Sequence, residues 1–144
     1  MTEGRTPEAD DFNGKIIAEF RANDGKVGGR FAGRDMLLLH HTGARTGAER
    51  VSPLPFQWAG GSYAVFASKA GAPNNPAWFH NLIAHPDTVV EVGGGTVRVR
   101  ARVAQPAERD VIWARQKERT PDIVAYEVKA APRAIPVVVL DPVK

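Results

Sequence analysis

The chain has 144 residues, and 43% of them are hydrophobic, which suffices for the core of one domain without disulfides. It contains no cysteine, so thiol catalysis and Cys-ligated zinc sites are excluded. The net charge of +3 fits an ordinary basic surface better than it indicates an anionic partner. The beginning of the sequence lacks the regions of a signal peptide, and no apolar run approaches the ~20 residues of a membrane helix. We therefore expect a cytoplasmic protein.

The first half of the sequence predicts a tail, a helix and three strands. Phe12, Ile16, Ile17 and Phe20 recur at helical spacing and predict one apolar helix face. Two prolines in the second strand are typical of an edge or bulged strand. In chain order we expect a disordered tail over 1–10, a helix over 11–23, and strands over 36–42, 50–58 and 62–67. Residues 11–144 then form a single domain.

The second half predicts a β-hairpin between helices and a final strand. Valine and alanine alternate with arginine over 96–103, which is typical of a strand with one buried face. We expect helices over 76–84, 106–119 and 122–129, and strands over 88–92, 96–103 and 136–140. About six strands in antiparallel hairpins predict a mainly β fold with flanking helices, whose sheet curls into a barrel.

The turn after the first strand reads TGARTGAER over residues 42–50. Its glycines permit a tight turn with close backbone approach. Arg45 and Arg50 carry planar guanidinium groups suited to phosphate or carboxylate, and Thr46 adds a hydroxyl. The turn therefore indicates either an anion site or an ordinary hairpin with solvated arginines.

A second polar segment, ASKAGAPNNPAWFHN, covers residues 67–81. Ser68 and Lys69 follow a predicted strand, where ligand contacts are common. Pro76 suits the first residue of a helix whose N-terminus could face an anion beside Lys69. Trp78 either stacks on a flat ring or belongs to the core.

Other chemistries find less support in the sequence. His40 and His41 are adjacent on a strand and must point to opposite faces, so we expect no metal site. Arg98, Arg100 and Arg102 form a basic stripe without interleaved aromatics. This pattern favours a solvated sheet face over a nucleic-acid surface.

Four ordered blocks resemble the deazaflavin (coenzyme F420)-dependent nitroreductase family. They are T-G-A-R-T-G-A-E-R followed by V-S-P-L over 42–54, A-S-K over 67–69, N-P-A-W-F-H-N-L over 75–82, and I-P-V-V-V over 135–139. The family consists of actinobacterial oxidoreductases with the split β-barrel fold of FMN-binding proteins. The resemblance implies that fold for residues 35–140.

The resemblance also implies the cofactor-binding residues. The phosphate and acidic tail of F420 would be held at the turn, with its ring along the next strand and the second segment closing the site. The implied residues are Ala44, Arg45, Thr46, Arg50, Val51, Ser52, Pro53, Leu54, Pro55, Phe66, Ala67, Ser68, Lys69, Ala77, Trp78, Phe79, His80 and Asn81. Ser68 and Tyr126 are the candidates for catalytic contacts with the acceptor.

The implied activity is hydride transfer from reduced F420 to a small-molecule acceptor. Nitro-reducing relatives carry an aromatic residue where this chain has Pro55, so we expect a quinone, an enone or another activated acceptor. The alternatives are an FMN-binding split-barrel reductase and a non-catalytic deazaflavin-binding carrier. In quinone-reducing relatives the N-terminal helix is linked to membrane association. Two roles are therefore considered for the apolar face of this helix: peripheral membrane contact and packing on the barrel. Monomer and homodimer are both open.

Overall fold

The computed structural model describes residues 7–143, which form seven β-strands and four α-helices. The helices are Pro7–Ala22 (α1), Ala77–Ala84 (α2), Pro106–Arg119 (α3) and Asp122–Ala130 (α4), and short 3-10 turns cover Gly29–Phe31 and Lys69–Gly71. The strands are Met36–Thr42 (β1), Glu49–Pro55 (β2), Gln57–Ala59 (β3), Ser62–Phe66 (β4), Asp87–Val92 (β5), Gly95–Val103 (β6) and Val137–Pro142 (β7).

All the strands belong to one antiparallel sheet with the order β2-β1-β5-β6-β7-β4-β3. The edge strands β2 and β3 are neighbours in the chain, separated only by Phe56. A sheet whose two edges are joined by one residue must curl until those edges meet. The predicted antiparallel split β-barrel with flanking helices is thereby confirmed.

The strand predicted over 50–58 is two strands, so the expected count of six was wrong. Pro53 and Pro55 lie on β2, an edge strand, where a missing N–H leaves no ladder bond unmade. The N–H of Phe56 donates instead to the carbonyl of Asp35 at 2.9 Å. The chain leaves the β1–β2 ladder at this point and enters the opposite edge of the sheet.

Helix α1 packs on the outer face of β1. It begins at Pro7, so residues 7–10 of the predicted tail are helical, and residues 1–6 lie outside the described residues. Ile16 and Phe20 are buried in a cluster with Met36 and Leu38 of β1. Two residues of the face considered for membrane contact, Ile16 and Phe20, are therefore buried against the sheet, whereas Phe12 at the start of the same face is 43% exposed. Between residues 7 and 143, no helix has the length and apolarity needed to cross a membrane.

An ion-pair cluster fixes the end of α1 to the sheet. Arg21 donates two hydrogen bonds to the Glu91 carboxylate, at 3.0 and 2.7 Å, and His40 Nε2 lies 2.7 Å from the same group. The hydrogen bond from Arg21, reinforced by His40, lowers the pKa of Glu91 to about 2. Glu91 is therefore ionised at neutral pH and joins α1, β1 and β5.

The arginine stripe of β6 is largely neutralised by carboxylates. Arg100 pairs with Asp87 at 2.9 Å, and Arg102 pairs with Glu108 at 2.7 Å and with Asp141 at 2.6 Å. The stripe is therefore a paired, solvated face rather than a strongly basic surface.

The sheet separates two larger cores, in addition to the smaller cluster under α1. The first contains Leu37 and Leu39 of β1 with Trp78 and Leu82 of α2. The second lies under α3 and α4 and contains Ile112, Trp113 and Ile123. Successive residues of a strand face opposite cores. This alternation decides which side chains of the predicted site can share one face.

Candidate functional site

The β1–β2 turn is closed by its own backbone. The N–H of Gly43 donates to the carbonyl of Ala48 at 2.8 Å, and the N–H of Gly47 donates to the carbonyl of Gly43 at 2.9 Å. Gly47 has φ +71°, a conformation that favours glycine. The Thr46 hydroxyl accepts a bond of 3.2 Å from the N–H of Ala48, so it shapes the turn.

The two arginines of this turn differ in exposure. Arg45 is exposed at the tip, whereas Arg50 is half-buried on β2. Arg50 pairs directly with His41 in the β1–β2 register, so both side chains lie on one face. The turn therefore offers one flexible guanidinium and one positioned by the sheet.

The first turns of α2 pack beside the β1–β2 turn. Asn81 is 2% exposed, and its Oδ1 accepts the N–H of Ala44 at 2.9 Å. This bond joins the β1–β2 turn to the helix that ends the second polar segment, and it occupies the Ala44 amide. Helix α2 begins at Ala77, one residue after the predicted Pro76.

The aromatic residues of α2 have different surroundings. Trp78 is 8% exposed and belongs to the first core, so the core interpretation is correct and ring stacking is not supported. Phe79 is half-buried against the same core. His80 is exposed beside Phe79, with ring centroids 5.6 Å apart. Phe79 and His80 are therefore the rings of α2 that a ligand can reach.

A buried polar chain extends from α2 to β2. Asn81 Nδ2 lies 2.9 Å from Nδ1 of His41, and His41 Nε2 lies 2.9 Å from the hydroxyl of Ser52. His41 and Ser52 are 3% and 8% exposed. His40 contacts Glu91 on the other face, which confirms that the two histidines diverge. No pattern in the sequence indicated this chain of contacts.

Strand β2 divides the predicted ring-lining residues between two faces. Ser52 bonds His41 and Leu54 packs on the first core, whereas Val51 packs under α1. The alternation puts Pro53 and Pro55 on the same side as Val51. Only Ser52 and Leu54 of this segment therefore face the same side as α2.

The segment 66–69 is also divided. Ala67 is buried in the first core, whereas Phe66 packs against the second, 6.1 Å from Trp113. The side chain of Phe66 thus points away from α2, contrary to a role in closing that site. Lys69 is exposed and donates to Oδ1 of Asn74 at 3.2 Å. Its partner is a neutral amide, so its positive charge is not cancelled.

Arg133 organises the loop between β4 and α2. Its guanidinium donates to the carbonyls of Ala67, Ser68 and Ala72 at 2.7–3.0 Å and to Oδ1 of Asn75 at 2.7 Å. No motif marks Arg133 in the sequence, because its partners are about sixty residues earlier.

The two candidate catalytic residues flank this loop. Ser68 is half-buried before the 3-10 turn, and Tyr126 of α4 packs on the second core. The 3-10 turn packs closely on α4, where a Cβ built on Gly71 would lie 2.9 Å from the carbonyl oxygen of Tyr126. Ser68 and Tyr126 are therefore on neighbouring segments, with no hydrogen bond between their side chains in the described structure.

Two concave spaces lie at the other end of the barrel, near Phe56. One of about 480 Å³ is lined by Asp24, Arg34, Met36 and Trp58 among others. A second of about 330 Å³ lies beside Asp35 and Arg119 and includes Pro55. Of the predicted cofactor residues, Pro55 alone lines these two spaces. The candidate site is therefore defined by the β1–β2 turn and by the buried polar chain from Asn81 to Ser52, and not by these concave spaces.

Comparison with known proteins places this geometry in a family. Residues 15–142 match the model of the family described as F420H(2)-dependent quinone reductase. An F420H(2)-dependent quinone reductase of Mycobacterium tuberculosis is 37% identical over 126 residues, which are 85% of each chain.

Two solved structures extend the similarity to the fold. One is described as the structure of an F420-H2 dependent reductase; it is 34% identical, has a TM-score of 0.67, and is matched over 75% of this chain and 95% of that chain. The other, described as a domain-swapped dimer, is 31% identical with a TM-score of 0.69 and covers 93% and 98% of the two chains. The resemblance to deazaflavin-dependent enzymes is confirmed, and the chain belongs to the F420H(2)-dependent quinone reductase family.

Proposed function

We propose that this protein is an oxidoreductase that uses reduced coenzyme F420 to reduce a quinone. The observation that carries the proposal is the hydrogen bond between Ala44 and Asn81, which joins the arginine turn to α2. This bond places the two segments with the most specific family motifs side by side, which supports a single site. Relatives at 37% identity are named for this activity.

The charges of the site suit the anionic parts of F420. Its phosphate and oligoglutamate tail need cations that neighbouring carboxylates do not cancel. Arg45 and Lys69 are exposed, and Arg50 is held by the sheet beside the same turn. We infer that these three residues bind the phosphate and the tail, with Arg50 as the best-positioned contact.

When bound, reduced deazaflavin supplies a hydride, so the protein need not provide a redox group. The chain contributes orientation and electrostatics. Ser52 and Leu54 offer a polar and an apolar contact on the inner side of β2. Arg133 holds the loop that carries Ser68, and the Ser68 hydroxyl is our candidate donor to an acceptor oxygen.

Binding and turnover assays test the proposal directly. We expect oxidised F420 to bind and F420H2 to be oxidised by a quinone, with enones and nitroaromatics as comparison acceptors. Tight FMN binding without F420 binding would overturn the proposal and favour the FMN reductase. Binding of F420 without turnover on any acceptor would indicate a carrier. Arg98→Ala, an exposed change on β6, is the matched control for lost positive charge.

The oligomeric state requires a separate measurement. The related structure described as a domain-swapped dimer makes a homodimer the alternative to a monomer for this chain. Light scattering coupled to size exclusion, with and without F420, distinguishes them. A mass near 15.6 kDa indicates the monomer.

A further inference from the structure

The orientation of the Asn81 side chain follows from its partner. The backbone N–H of Ala44 can only donate, so the atom that faces it at 2.9 Å is the amide oxygen. The amide nitrogen of Asn81 then faces Nδ1 of His41 at 2.9 Å. Because an amide NH2 donates and does not accept, Nδ1 of His41 must be unprotonated.

This arrangement selects one form of His41. With Nδ1 as acceptor, the neutral imidazole carries its proton on Nε2. An imidazolium carries a proton on both nitrogens and could not accept from Asn81. His41 is therefore a neutral Nε2–H tautomer.

The tautomer of His41 determines what Ser52 can do. Nε2–H donates to the Ser52 hydroxyl oxygen at 2.9 Å, so that oxygen is used as an acceptor. Ser52 can still donate its own proton, and no second side-chain partner for this hydroxyl is found among residues 12–29 and 31–143. The side chain is 8% exposed, so water has little access to the hydroxyl donor. A buried donor that lacks a partner is costly until a ligand supplies an acceptor.

We propose that His41 is a positioning residue that keeps the Ser52 hydroxyl as a hydrogen-bond donor to bound deazaflavin. The inference rests on the proposed function, because F420 is the ligand expected beside β2. The pyrimidinedione part of a deazaflavin has carbonyl oxygens that accept such a bond. The polar chain runs from Ala44 through Asn81 and His41 to Ser52, so it couples the anion-binding turn to the contact with the ring.

The tautomer is tested without any cofactor. Two-dimensional ¹H–¹⁵N NMR of the imidazole nitrogens distinguishes the neutral tautomers and the imidazolium, and His41→Gln assigns the signal. We expect Nε2 of His41 to be protonated and Nδ1 to be unprotonated at neutral pH. Protonation at Nδ1 would overturn the inference.

The contact with the ligand is tested by titration with oxidised F420. We expect Ser52→Ala and His41→Phe each to raise Kd about 3- to 10-fold, as loss of one neutral hydrogen bond implies. His41→Gln keeps an acceptor and a donor and should bind nearly as tightly as the wild type. In the Ser52→Ala background, His41→Phe should cause no further loss, because His41 acts through Ser52.

Controls separate this role from packing. His85→Gln, an exposed change at the end of α2, should leave Kd unchanged. The inference about His41 would be overturned, with the proposed function intact, by either of two results. One is that His41→Phe weakens F420 binding equally in the wild-type and Ser52→Ala backgrounds; the other is that Ser52→Ala leaves F420 binding unchanged. Absence of F420 binding by the wild type would overturn the proposed function as well. If His41→Phe does not fold, the F420 affinities of His41→Gln and Ser52→Ala, together with the NMR measurement, still test whether His41 positions the Ser52 hydroxyl.

Discussion

The guanidinium of Arg133 donates a hydrogen bond of 2.7 Å to Oδ1 of Asn75, 58 residues earlier in the chain. The same group satisfies three carbonyls of the loop between β4 and α2. One side chain just before the last strand therefore determines the shape of the loop that carries Ser68 and Lys69.

Arg133→Ala should destabilise this loop more than a typical surface change does. Several carbonyls lose a charged donor, and such bonds are worth about 1.5–3 kcal/mol each before compensation by water. We expect a melting temperature several degrees lower, faster proteolysis within residues 67–75, and weaker F420 binding. Arg133→Lys should restore only part of the loss, because an ammonium cannot reproduce the planar fork. Unchanged melting and proteolysis in Arg133→Ala would contradict this role.

Arg45→Ala and Arg50→Ala should each weaken F420 binding by roughly 1–3 kcal/mol through loss of charge-assisted contacts. Added salt should weaken binding by the wild type more than binding by either variant, because screening acts on the charges that the variants lack. Titrations at two ionic strengths measure both effects, with Arg98→Ala as the control. Unchanged F420 affinity in both variants would show that the β1–β2 turn does not bind the cofactor.

The stability contributed by Glu91 should depend on pH. Its pKa is lowered to about 2 in the folded protein, chiefly by the hydrogen bond from Arg21. A carboxylate with a lowered folded-state pKa stabilises the fold above its ordinary pKa of 4.5, and the contribution is lost as pH falls towards 2. Glu91→Gln should therefore cost about 1 kcal/mol at neutral pH, because Arg21 is half-exposed and the pair is screened.

Chemical denaturation of wild type and Glu91→Gln across this pH range measures the effect. The difference in unfolding free energy should shrink as pH falls from about 5 to about 2. A difference that is constant with pH would mean that Glu91 acts through packing. Asp87→Asn is a suitable comparison, because both partners of its ion pair with Arg100 are largely exposed.

Gly71→Ala should be far more damaging than Gly60→Ala. Both glycines have positive φ, +80° and +60°, so both substitutions cost about 1–2 kcal/mol of backbone strain. At Gly71 the new Cβ would also lie 2.9 Å from the Tyr126 carbonyl oxygen and from Cβ of Lys129, whereas no atom lies within 4 Å of it at Gly60. Thermal denaturation compares the stability of the two variants. Equal losses of melting temperature would mean that α4 shifts enough to accommodate the methyl group at position 71.

Local pattern was enough to predict most of the elements. The bounds of β1 and α3 agree with the prediction, because hydrophobic periodicity and the proline at the start of α3 act over a few residues. The break of β2 at Phe56 was missed, because it depends on the bond to Asp35 and on the meeting of two sheet edges.

The sequence by itself determined the mainly β class, the family motifs and the cations of the β1–β2 turn. Only the tertiary structure decided which residues of those motifs share a face. It placed Trp78 in the core, turned Phe66 towards α3, and brought Arg133 to its loop. The reason is physical: strand alternation and hydrogen bonds between distant segments depend on how the whole sheet curls, and a linear motif does not encode that curvature.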